Sequence, residues 1–83
     1  MKKRVAITPS GKSNRLDFEI EVVPGKTKNQ RNVKLAPQQD DGSEEEITVV
    51  ASNDNDAIEA TKKHLEKKYG GKATVVSSIK KPD

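Results

Sequence analysis

The sequence predicts an α+β domain: one mixed, mainly antiparallel sheet of four to five strands with a single helix on one face, in the order strand, strand, strand, strand, helix, strand. Three observations carry this. Leu16, Phe18, Ile20 and Val22 alternate with Asp17, Glu19 and Glu21, the period of a strand with one dry and one wet face. Ala57, Ile58, Thr61, Leu65 and Tyr69 recur at the spacing of one helix face, with Ala60 at its margin, and no other segment has that period. The runs ITVV before that helix and ATVVSSI after it are rich in β-branched residues, so the helix is bracketed by strands.

In chain order, residues 4–8 form a short strand with Val5 and Ile7 on one side and Arg4, Ala6 and Thr8 on the other. The turn-forming stretch PSGKSN follows. Residues 16–22 form the clearest strand, and its three acids call for bases on adjacent strands, which Arg4 and Lys34 are placed to supply. Pro24 and Gly25 end it and open a basic loop. Residues 32–35 give a weaker strand, with Val33 and Leu35 facing inward. The segment from Pro37 to Glu46 contains no apolar side chain beyond its proline and reads as a mobile acidic loop, 37–46.

The fourth strand covers residues 47–51. Ser52 or Asn53 then caps the helix, Asp54, Asp56 and Glu59 occupy its first turns, and Lys67 and Lys68 its last, as the helix dipole favours. Gly70 and Gly71 stop it. Residues 73–79 make the last strand, and the tail 80–83 is frayed. A strand, a helix and a strand joined by short loops can form a right-handed parallel crossover if both strands share a sheet.

The whole chain, 1–83, is one small domain with room for one core. Its 16 large aliphatic residues fall almost wholly in the strands and the helix, which leaves little apolar surface for a deep ligand pocket. There is no cysteine, hence no disulfide and no thiolate site, and a reducing cytoplasm is the expected compartment. The N-terminus starts with charges, but Pro9 and Gly11 arrive before the apolar stretch a signal peptide requires. No run approaches the roughly 18 apolar residues of a membrane span, so no membrane partner is expected.

Charge is blocked along the chain: net +6 over residues 1–36, −8 over 37–60 and +5 over 61–83, within a total of +3. Such blocks can give opposite-signed faces that steer a charged partner. The acids Asp40, Asp41, Glu44, Glu45 and Glu46 and the tail lysines Lys80 and Lys81 are the candidate partner-binding residues. The alternative is nucleic-acid binding, with Lys3, Arg4, Lys12, Arg15, Lys26, Lys28 and Arg31 on phosphates. It lacks the exposed aromatic rings on which single-strand readers stack bases.

Catalytic and metal motifs fail on spacing. Gly11-Lys12-Ser13 ends like a phosphate-binding loop, but the required earlier glycine is Ala6 and no helix follows, so the segment reads as a hairpin turn carrying a lysine. His64, the only histidine, reads as a helix-surface residue, since zinc or triad chemistry needs further partners at set spacings. The acids do not match a calcium loop. The chain is therefore expected to be non-enzymatic, with no cofactor and no metal.

The second half, ITVVASNDNDAIEATKKHL followed by VVSSIKKP, resembles the strand-helix-strand core of the small inhibitor of bacterial RNA polymerase made by T7-type phages. The resemblance covers about half the chain. It implies a phage or mobile-element protein that docks on a larger host protein and modulates or inhibits it. It implies a basic contact residue at Lys80, while Ser78 stands where a second base is expected. A protein partner is thus the first expectation, through charged surfaces or a sheet edge, and pairing of edge strands into a dimer is a further one.

Overall fold

Alternation in the N-terminal half folds as a meander. The computed structural model describes residues 1–38 and 43–76. Among them the chain forms β1 (Lys2–Ile7), β2 (Leu16–Pro24), β3 (Gln30–Pro37), β4 (Glu45–Val50), α1 (Asp54–Tyr69) and β5 (Ala73–Val76). The strands make one five-stranded sheet in the order β4-β3-β2-β1-β5, and every neighbouring pair is antiparallel.

The helix rests on the face to which the alternating apolar residues point. Val5, Ile7, Phe18, Ile20, Val22, Val33 and Leu35 are buried from the sheet side, and Ala57, Ile58, Thr61 and Leu65 from the helix side. Thr61 is the one buried polar side chain among the described residues. Its hydroxyl costs little, because Oγ1 donates to the Ala57 carbonyl at 2.8 Å.

The opposite face is polar and pairs charges across strands. Arg4 lies opposite Glu19 and Lys34 opposite Glu21, as the three acids of β2 require. Register extends one row across four strands, Glu46, Lys34, Glu21 and Lys2, with signs alternating. This face is close to self-neutral.

Two expectations change. The strands that bracket the helix do run in the same direction, because each step across the sheet reverses it, but they are not neighbours. β4 takes the free edge of β3, and the returning β5 takes the remaining edge of β1, so α1 carries the chain across three strands and no parallel pair forms among the described residues. The acidic loop is also shorter than 37–46 at both ends. Pro37 ends β3 opposite Phe18, and Glu45 and Glu46 open β4 opposite Leu35 and Lys34. The β3–β4 ladder stops at Leu35 and Glu45, so the missing N–H of Pro37 breaks no bond.

Both helix ends are closed locally. Asn53 is the cap, its Oδ1 accepting from the Asp56 N–H at 2.8 Å, and the Gly70 N–H donates to the Glu66 carbonyl at 2.8 Å. Asn53→Ala should cost about 1 kcal/mol, the usual worth of such a cap, read as a lower denaturant midpoint with an unchanged slope. No helix among the described residues is long and apolar enough to cross a membrane.

Candidate functional site

Alternation along β4 sends the acidic residues in different directions. Glu45 faces the helix, where its carboxylate meets Lys68 Nζ at 3.1 Å and His64 Nε2 at 3.4 Å. Glu46 projects to the outer face opposite Lys34. Glu44, exposed just before the strand, borders a shallow hollow on that face shared with Lys2, Lys34, Glu19 and Glu21. Asp40, Asp41, Lys80 and Lys81 lie outside the described residues.

The candidate nucleic-acid bases are split by the fold. Lys12 and Arg15 belong to the β1–β2 turn, and Lys26 and Lys28 to the β2–β3 turn. These turns are separated by the length of β2, nine residues or roughly 27 Å. Two of the bases are also engaged. Arg15 pairs with Asp17 at 2.8 Å. Arg31 ties the helix start to the sheet, through Asp54 at 3.3 Å and the carbonyls of Gln30 and Ser52 at 3.1 Å each. Lys3 and Arg4 are half-buried in β1, and Lys12, Lys26 and Lys28 are exposed.

The two sheet edges differ in what their backbones offer. The Ala51 N–H donates to the Asn29 carbonyl, so alternation turns the N–H and C=O of Val49, Ile47 and Glu45 toward β3. Those of Glu46, Thr48 and Val50 therefore point away from the sheet, and no hydrogen bond closes on them among the described residues. At the other edge, the Met1–Val22 pair sets the phase of β1, which turns Ala73 and Val75 outward on β5. The Ala73 N–H is already taken by the Glu66 carboxylate at 2.9 Å. Thus, among the described residues, β4 has three open backbone positions, and β5 has one open beside one capped.

Side chains on β4 reinforce this difference. Val50 is 81% exposed, the most exposed large apolar side chain among the described residues. Thr48 is exposed as well, its hydroxyl donating to Asn32 Oδ1 at 3.0 Å. The strand contains no proline, the device that most simply blunts an edge. Sequence reading singled out Glu44 to Glu46 for their charge. It missed Thr48 and Val50, whose importance depends on strand order.

A second concavity lies at the end of the sheet where α1 stops. It is a cleft of about 660 Å³ between the β1–β2 turn, residues 9–14, and Leu16, Lys68 and Tyr69. The cleft is open and is formed by a turn standing against a helix end. Among the described residues no three His, Asp or Glu side chains converge as a metal site requires. Comparison of the chain with family models, with curated proteins and with solved structures returns no significant match.

Proposed function

We propose that this chain is a small non-catalytic docking protein whose β4 edge accepts an extended segment of a larger protein as a sixth strand. The observation that carries this reading is the run of three outward backbone positions, Glu46, Thr48 and Val50, beside an 81% exposed valine. Strand addition draws affinity from the backbone ladder and selectivity from alternate side chains. Glu44 and Glu46 share the outer face at the start of this edge, so the segment that fits carries a basic residue there and an apolar one toward Val50. The resemblance of residues 47–65 and 75–82 to the phage polymerase inhibitors supports the same class, a small protein that modulates a large host protein by docking on it. The nucleic-acid reading has less support, because its bases lie at opposite ends of the sheet and two of them are tied up in ion pairs.

Thr48→Pro tests the proposal. Proline removes an N–H that no ladder bond uses, so stability should change little beyond the lost Asn32 contact, which Thr48→Val measures separately. Capture of the partner should fail for the proline variant and persist for the valine variant. On the native complex, amide exchange should slow at Glu46, Thr48 and Val50. Slowing confined instead to Lys12, Lys26 and Lys28, in a capture that nuclease abolishes, gives the site to nucleic acid and overturns the edge.

A further inference from the structure

We infer that the cleft between the β1–β2 turn and the end of α1 is a site for a phosphate group carried on a small planar or apolar body, separate from the β4 edge and independent of that reading. Its rim offers donors. Lys12 and Lys68 bring two ammonium groups, Ser10 and Ser13 two hydroxyls and Asn14 an amide, while no carboxylate lines it. The side chains of Ser10, Lys12, Ser13 and Asn14 make no hydrogen bond or ion pair among the described residues, so these donors stand open to a ligand. A cluster of donors without a carboxylate selects an oxyanion, and phosphate offers the most acceptor oxygens for its size.

The remaining walls define what the phosphate is attached to. Leu16 and the half-buried Tyr69 ring give the cleft an apolar side, and the ring is held in place by Phe18 at 5.9 Å between centroids. A free inorganic ion would leave that side unused. At about 660 Å³ the cleft lies in the range of small-ligand sites.

The turn is built rather than draped. Lys12 N–H donates to the Pro9 carbonyl at 3.1 Å, Gly11 takes φ +77°, and the turn approaches α1's end so closely that the Ser10 side chain and the Thr8 carbonyl fill the space a Cβ would need at Gly70 and Gly71. This contact fixes the wall from which Lys12 and Ser13 project. The arrangement is unlike a phosphate-binding loop, in which backbone N–H groups and a helix N-terminus hold the anion. Here the nearest helix end is a C-terminus, whose carbonyl charge opposes an anion, so the lysines must supply the attraction. Lys68 is shared with Glu45 at 3.1 Å, which leaves Lys12 as the uncommitted cation.

The test is a ¹H–¹⁵N titration of the full chain at constant ionic strength, with inorganic phosphate in one arm and phenyl phosphate in the other. Saturable shifts at residues 10–14 and Tyr69, tighter with phenyl phosphate, are expected. Lys12→Gln, at an exposed turn position where the folded spectrum is easily verified, should weaken both by at least about tenfold, the worth of one charge-assisted contact. Shifts that track every surface lysine without saturating, equal affinity in Lys12→Gln, or no advantage for phenyl phosphate over phosphate would each overturn the inference.

Discussion

Gly71→Ala should lower stability by on the order of 3 kcal/mol, a large share of what a domain of this length possesses. Two costs add. Gly71 has φ +87°, a left-handed value that charges an L side chain about 1–2 kcal/mol. A Cβ built there would also fall 2.1 Å from the Thr8 carbonyl oxygen, a backbone atom that cannot turn aside. The helix end and the β1–β2 turn must then separate, which disturbs β1 and β5 where Ile7 pairs with Ala73. At roughly 4–8 °C per kcal/mol for a small domain, the melting temperature should fall by about 12–24 °C. Gly11→Ala isolates the first cost. Its φ is +77°, but nothing lies within 4 Å of an added Cβ, so only about 1 kcal/mol should be lost. Equal losses in the two variants would show that the contact with Thr8 carries no weight.

Leu65→Ala should rank beside it, at about 2–5 kcal/mol. Leu65 is 1% exposed and stands on the only helix among the described residues, so the sheet has no second element there to collapse into the space. Stability scales to roughly 4–12 kcal/mol for a chain of this size, so at the lower end of that range a loss of about 4–5 kcal/mol would leave the fold barely populated. Thermal unfolding and denaturant titration both read this directly. Leu65→Met, which nearly conserves volume, should retain most of the stability and separates packing from any disturbance of the helix itself.

Much of this was legible in the residues. The alternation of Leu16 to Val22 and the stripe from Ala57 to Tyr69 are periodic signals, and they produced β2 and α1 with boundaries shifted by at most two residues. The acids of β2 demanded cross-strand bases, and Arg4 and Lys34 are found opposite Glu19 and Glu21. Sequence reading lost its hold where outcome depends on which strand lies beside which. A short strand-helix-strand unit is compatible with adjacent strands and with strands at opposite edges, and the choice was made by the edge that β1 still had free. The open positions at Glu46, Thr48 and Val50 follow only after that choice. Glu45 and Glu46, read as loop from their charge, enter β4, where Glu45 pairs with Lys68 of α1 and Glu46 lies opposite Lys34. The cleft was likewise hidden, since Lys12 and Lys68 are far apart in the chain and line one cleft only because the β1–β2 turn stands against the glycine pair at the end of α1.

Strand order also decides when this chain can finish folding. Emerging from its N-terminus, β1 to β4 meet their partners in sequence, each pairing closing only a short loop. The second edge of β1 has no such neighbour. It waits for β5, the last described strand, to be delivered across the sheet by α1, and Ile7 pairs with Ala73 only after the other strands and the helix have been made. Until then the backbone of Lys2, Arg4 and Ala6 is an unpaired edge in the middle of the future sheet. The interval between synthesis of β4 and return of β5 is therefore when this protein is most open to pairing with the wrong strand.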